Sequence, residues 1–138
     1  MLLLLAGLTA LGASLTHRDH AHGVVFITGH AKPGDAGTDW QALAATARDA
    51  KLTLVIYMGV ASAKHIQQEL LTGLSAETPL AVIQHATLPH QRHALTTLGH
   101  LRATIEREDL GSPAVIVVGD VVSGIAAVQA PTAAARIA

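Results

Sequence analysis

The sequence contains no cysteine, which excludes disulfides, thiolate zinc sites, iron–sulfur clusters and cysteine nucleophiles. It has only three aromatic residues, Phe26, Trp40 and Tyr57, so surfaces that stack on single-stranded nucleic acid are not expected. Charged residues make up 14% of the 138 positions and give a formal charge of −1. Because this balance contains no basic excess, we expect no nucleic-acid partner.

Apolar residues make up half of the chain, which predicts one folded domain with a sizeable core. The first 16 residues carry no charge, but this run is shorter than the roughly 20 residues that span a bilayer. A secretory signal is an alternative for it, although no basic segment precedes the apolar run. We interpret it as a buried helix and expect a cytoplasmic protein with no membrane partner.

Short apolar runs alternate with segments of helical periodicity from Val24 onward. Buried strands are predicted at residues 24–28, 53–58, 80–83 and 114–118. Helices are predicted from Thr38 with a capping box to Gln41, over residues 61–71 with Gly73 as a left-handed cap, and from Pro89 past Ile105. This alternation predicts an α/β fold, a three-layer sandwich in which helices cover a largely parallel or mixed sheet.

Ligands of such sheets bind at the carboxyl ends of the strands. The predicted ends are residues 28–30, 57–59, 84–87 and 119–120, and small residues occur at all four. Glycine lets the backbone approach a flat heterocycle such as adenine closely. The alternative is that these glycines merely terminate strands.

Nine histidines suggest a metal site, because His17, His20 and His22 are closely spaced and His90 and His93 form an i, i+3 pair. Nearby carboxylates are scarce, and no His-Glu-x-x-His motif is present. We therefore predict solvated histidines and no metal, with a histidine-rich metal binder as the open alternative. No phosphate-binding loop, dinucleotide fingerprint or serine nucleophile elbow is present either.

Six short segments occur in an order and spacing typical of one family. They are Leu15-Thr16-His17-Arg18-Asp19, Thr28-Gly29-His30, Asp39-Trp40 with Leu43-Ala44, Leu54-Val55-Ile56-Tyr57-Met58-Gly59, Ala86-Thr87-Leu88-Pro89 with Gln91-Arg92, and Ser112-Pro113-Ala114-Val115-Ile116-Val117-Val118-Gly119. Together they resemble the C-terminal lobe of the uroporphyrinogen-III C-methyltransferases, which are tetrapyrrole methylases.

The resemblance implies a methyltransferase that uses S-adenosyl-L-methionine as methyl donor. The family's substrate is uroporphyrinogen III, which is methylated to precorrin-2 for sirohaem or cobalamin synthesis by a homodimer. The resemblance also implies which positions bind the cofactor and the substrate, but it assigns no catalytic residue. Cofactor-binding positions are Met58, Ala86, Tyr57 and Gly59, and candidates for the substrate cleft are Thr28 and His30.

The family's first lobe, with its Gly-rich loop and acid/base groups, has no counterpart in the sequence. We therefore expect this chain to be inactive alone, with a stand-alone binding or dimerisation domain as the alternative. The predicted organisation is an apolar N-terminal segment (residues 1–14, a remnant of the inter-lobe helix), the α/β domain (15–124) and a flexible tail (125–138).

Overall fold

The computed structural model describes Arg18 and residues 21–30, 37–84, 92–111 and 114–123. Five strands and three α-helices lie in these ranges. In chain order they are β1 (Gly23–Thr28), α1 (Trp40–Ala50), β2 (Leu52–Tyr57), α2 (Ala63–Leu70), β3 (Pro79–Gln84), β4 (Arg92–Thr97), α3 (Leu101–Arg107) and β5 (Ala114–Val118). Short 3-10 turns at Val60–Ser62 and Leu98–His100 lead into α2 and α3.

The strands form one sheet in the order β1-β2-β5-β3-β4. β1 and β2 are parallel, whereas β5 is antiparallel to both β2 and β3, and β3 is antiparallel to β4. The α/β class with a mixed sheet is confirmed, and the largely parallel alternative is wrong. Two strands run opposite to β1, β2 and β3: β5 in the middle of the sheet and β4 at its edge.

The segment after Pro89 was predicted as a single helix, and that prediction is wrong for Arg92–Thr97, which is strand β4. The helical spacing of Leu95, Leu98, Leu101 and Ile105 is divided between the strand, the 3-10 turn and α3. β4 pairs with β3 over its whole length, and this pairing outweighs the local helical periodicity because tertiary contacts override propensity.

The N-cap of helix α1 lies one residue later than predicted, at Asp39 and not at Thr38. Asp39 is the N-cap, and its Oδ1 accepts a hydrogen bond from the Ala42 amide at 3.1 Å. The predicted partner Gln41 instead donates from its side chain to Glu69 Oε2 at 2.6 Å. A short acidic side chain is a strong N-cap because it satisfies an amide that has no partner within the helix.

Gly73 was predicted to cap α2 in the left-handed conformation, and this is also wrong. Leu71 follows the helix with right-handed dihedrals, and Gly73 is not among the described residues with positive φ. A Cβ on Gly73 would lie 2.9 Å from the backbone N of Ala45 and 3.0 Å from Ala44. Glycine at this position therefore allows the end of α2 to approach α1 closely.

The main core lies between the sheet and the three described helices. Trp40, Ala44 and Ala47 of α1 pack there, as the helical period predicted. Ile66 of α2 and Leu101 of α3 join them against inward-facing side chains of the strands.

The opposite face of the sheet carries a second buried cluster that includes Val55, Ala81 and Val117. The described residues thus form two layers, and the third predicted layer lies outside them. The predicted segments 1–14 and 125–138 also lie outside the described residues, so these domain boundaries stay predictions.

Candidate functional site

The carboxyl ends of β1, β2 and β3 meet at one edge of the sheet. Thr28 and Tyr57 are in register at the ends of the parallel strands β1 and β2. Gln84, at the end of β3, pairs with Ala114 at the start of β5. Since Tyr57 pairs with Val115 of the same strand, three of the four predicted ligand-binding ends lie at the same edge, with the start of β5 between the ends of β2 and β3.

The fourth predicted end, residues 119–120, lies at the opposite edge. β5 runs antiparallel to β2 and β3, so its carboxyl end is beside the start of β3. There the Gly119 amide donates to the Pro79 carbonyl at 3.0 Å. Gly119 and Asp120 are therefore removed from the candidate site.

Met58 is the most exposed large apolar side chain among the described residues, with 55% of its surface accessible. It directly follows the half-buried end of β2, and its φ is +56°. The left-handed conformation costs roughly 1–2 kcal/mol for a residue with a side chain. Such conformations persist where neighbouring structure enforces them, and they concentrate at ligand sites.

Gly59 fixes the inner side of this turn. The residue is buried, and a Cβ on it would lie 2.8 Å from Ile56 Cγ2 and 3.3 Å from the Cδ1 atoms of Ile66 and Ile116. Because these isoleucines are fully buried, position 59 has no room for a larger residue. The Gly59 carbonyl also accepts a hydrogen bond from the Ser62 amide at 3.1 Å, which starts the 3-10 turn before α2.

Thr28 and Tyr57 share the face of the sheet that is opposite to the described helices. Tyr57 packs against the second cluster, and Thr28 follows Phe26 of that cluster by the two-residue period of a strand. Thr28 Oγ1 accepts a hydrogen bond from the amide of exposed His30 at 3.2 Å. The structure thus places five of the six predicted site residues at one edge: Thr28, His30, Tyr57, Met58 and Gly59.

Ala86, the remaining predicted cofactor position, lies outside the described residues, two positions beyond Gln84. Arg92, which the helix prediction misplaced, begins β4 opposite Gln84. Its Nη2 donates to the Glu108 carbonyl at 2.6 Å, where a cation is favourable because carbonyls at a helix C-terminus carry partial negative charge. Arg92 therefore brings positive charge to this edge and anchors the end of α3.

Among the described residues, the one pair of groups with a shifted pKa lies away from this edge. The hydrogen bond from Arg48 lowers the pKa of the Asp49 carboxyl, and the same bond raises the pKa of Arg48. Both groups are exposed near the end of α1. They belong to the outer surface of the helix and not to the candidate site.

The predicted histidine pairs suggested a metal site as an alternative. In the part of the chain that the structure describes, no three His, Asp or Glu side chains are arranged to hold a metal. His93 lies on strand β4, so the helical i, i+3 geometry assumed for its pair with His90 does not apply. His17 and His20 lie outside the described residues. Among the described helices, none is both long and apolar enough to cross a bilayer.

The sequence profile of the Tetrapyrrole (Corrin/Porphyrin) Methylases matches residues 3–102. The chain belongs to this family.

Relatives of known name extend the assignment. The chain is 46% identical over 112 residues to siroheme synthase of Azotobacter vinelandii. The matched region covers 80% of this chain and 23% of that protein. It is 45% identical over 122 residues to uroporphyrinogen-III C-methyltransferase of Pseudomonas aeruginosa. This match covers 88% of this chain and 48% of the relative. The chain therefore spans about a quarter to a half of the length of these relatives.

A solved structure supports the same relationship. Uroporphyrin-III C-methyl transferase from Thermus thermophilus, in complex with S-adenyl homocysteine, superimposes with a TM-score of 0.68 at 28% identity. The superposition covers 85% of this chain and 50% of that one. Both the fold and the family predicted from the sequence are confirmed.

Proposed function

We propose that this chain forms one wall of the S-adenosylmethionine site in a methyltransferase that converts uroporphyrinogen III to precorrin-2, for sirohaem or cobalamin synthesis. Met58, Tyr57, Gly59 and Ala86 would hold the cofactor. Thr28 and His30 would face the substrate. The proposal is supported by the family membership of the chain and by its relatives that are named siroheme synthase and uroporphyrinogen-III C-methyltransferase.

The observation that carries the proposal is the conformation of Met58. An apolar side chain is left 55% exposed, on a backbone with φ of +56°, at the edge where three strands end. Both features are unfavourable in a free surface. A ligand that covers the side chain would remove the cost of its exposure, and a role in binding would explain why the strained backbone is kept. Methionine suits this role because its thioether is polarisable and adapts to the ligand surface.

The described residues fit an S-adenosyl group at this edge. Its flat adenine ring needs an apolar contact and close backbone approach, which Met58 and the adjoining glycine offer. When bound, the cofactor supplies a methyl group on a positively charged sulfur. The contribution of the chain is to bind and orient, since holding two reactants in line accounts for much of the rate in such a transfer.

Replacing Met58 with alanine tests this site. We expect the dissociation constant of S-adenosylhomocysteine, measured by isothermal titration calorimetry on the full chain, to rise about tenfold or more. Burying such a side chain is worth about 1.5–3 kcal/mol, and about 1.4 kcal/mol corresponds to tenfold. Circular dichroism would verify that the variant is folded.

Leu71→Ala is the matched control, because Leu71 is the other exposed large apolar residue in the described part of the chain and lies just after the far end of α2. It should leave the dissociation constant unchanged. Absence of binding by the unmodified chain, or equal affinities for the Met58 and Leu71 variants, would refute the proposed site.

The proposal includes a homodimer. Six leucines occur among the first 11 residues, at positions 2, 3, 4, 5, 8 and 11. Burying one leucine is worth about 1.5–3 kcal/mol, and a contiguous apolar surface commonly forms an interface. Two-fold pairing buries such a surface on both copies.

Light scattering on the full chain and on a version that begins at Ser14 tests the dimer. We expect twice the 14.2 kDa chain mass for the former and a monomer for the latter. A monomeric full chain, or a dimer that persists after the deletion, would contradict the idea. The cytoplasmic location stays a prediction.

A further inference from the structure

Gly29 lies against the peptide bond that joins Met58 to Gly59. Its amide donates to the Tyr57 carbonyl at 2.7 Å, which extends the pairing of β1 with β2 by one residue. A Cβ on Gly29 would lie 2.5 Å from Gly59 Cα, 3.1 Å from the Gly59 N and 3.1 Å from the Met58 carbonyl oxygen. All three of these atoms are backbone, so they cannot swing aside as a side-chain end can.

The core supports the same turn from within. A Cβ on Gly59 would meet Ile56, Ile66 and Ile116, which are fully buried in a close-packed interior. A methyl group at position 29 would push the peptide toward atoms that have no space to receive it. The peptide would have to rotate or move outward, and the φ of Met58 would change with it.

We propose that Gly29 is a positioning residue: its close packing on the Met58–Gly59 peptide holds Met58 in the left-handed conformation that presents the thioether to the ligand. The inference rests on the proposed function, since it concerns the same S-adenosylmethionine site. Gly29 contacts the turn and acts on the ligand through Met58. Its role is distinct from merely ending β1, because a terminating glycine would not control the geometry of another loop.

Methionine labelling gives a direct readout of this role. The chain has two methionines, Met1 and Met58, so a chain with ¹³C-labelled methionine methyl groups gives two signals, and Met58→Leu assigns them. We expect Gly29→Ala to shift the Met58 signal by more than its linewidth in the absence of ligand. The same variant should raise the dissociation constant of S-adenosylhomocysteine about tenfold, which corresponds to about 1.4 kcal/mol.

Gly23→Ala is the matched control at the other end of β1. A Cβ there would meet only the flexible end of Leu52, with Cδ2 at 3.1 Å. This variant should leave both the Met58 signal and the affinity unchanged. Fluorescence of Trp40, which is the only tryptophan and is buried, reports whether each variant is folded.

Ile66→Val provides a second variant if Gly29→Ala does not fold. It removes only the Cδ1 atom that lies beside Gly59, and such a change is mild. It should also shift the Met58 signal, whereas Ile105→Val in α3 should not.

The outcomes separate the inference from the proposed function. An unshifted Met58 signal in folded Gly29→Ala, or in Ile66→Val where Gly29→Ala does not fold, overturns the inference. A shifted signal with unchanged affinity also overturns it, because the role would then be structural only. If the unmodified chain binds no S-adenosylhomocysteine, the proposed function fails, while the methyl signal still reports whether Gly29 sets the conformation of Met58.

Discussion

Replacing Ile66 with alanine should lower the free energy of unfolding by about 2–5 kcal/mol. Ile66 is fully buried in the main core, and its Cδ1 lies beneath the turn at Gly59. Removing the side chain loses its transfer free energy and leaves a cavity, because close-packed neighbours collapse only in part. Since a domain is typically stable by only about 5–15 kcal/mol, this is a large fraction of the total.

Urea unfolding followed by the fluorescence of Trp40 measures this loss. Protein concentration must be held constant, because any association contributes to apparent stability. Gln68→Ala, an exposed position on the same helix, is the control and should change stability by less than about 0.5 kcal/mol. A loss below about 1 kcal/mol for Ile66→Ala at an unchanged urea slope would contradict the packing described for α2.

The 138-residue chain alone should give no detectable conversion of uroporphyrinogen III to precorrin-2. The chain spans 48% of the length of the Pseudomonas aeruginosa relative, and the resemblance implies that the remainder carries the acid/base groups and the other wall of the cofactor cleft. Orienting two reactants supplies effective molarities of about 10⁵–10⁸ M. Loss of one wall should therefore lower the rate at least about 10⁵-fold, below detection.

Chromatographic detection of S-adenosylhomocysteine under anaerobic, reducing conditions measures the turnover. The full-length Pseudomonas aeruginosa enzyme is the positive control, and the heat-treated chain gives the background. Turnover above that background would show that one lobe suffices for the reaction, contrary to our expectation. This result is independent of binding, so a chain that binds the cofactor and yet does not turn over agrees with both predictions.

Much of the fold was predictable because four of its strands are short apolar runs, and three of these four are followed closely by glycine. The runs at residues 24–28, 53–58, 80–83 and 114–118 lie within one residue of the observed strands β1, β2 and β5 and within β3. The buried face of α1 followed equally from its period. These features depend on local sequence, since a strand or helix must bury its own apolar side chains.

The strand β4 was not predictable in the same way. Leu95, Leu98 and Leu101 have helical spacing, and nothing local distinguishes Arg92–Thr97 from the helix that follows. Its state is decided by β3, which offers a full set of backbone partners. Likewise, no local signal in Ala114–Val118 reveals that β5 runs against its neighbours, so the sequence placed residues 119–120 at the wrong edge.

For the candidate site as well, some features follow from local sequence and others from tertiary packing. The sequence alone determined the family, the carboxyl ends of β1 and β2 and the Tyr57-Met58-Gly59 turn, because these are encoded in contiguous residues. Only the tertiary structure decided that Gly29 packs on the Met58–Gly59 peptide and that Met58 is exposed with positive φ. Contacts between residues 30 positions apart depend on how two strands pair, and that pairing is fixed by the packed sheet and not by either segment.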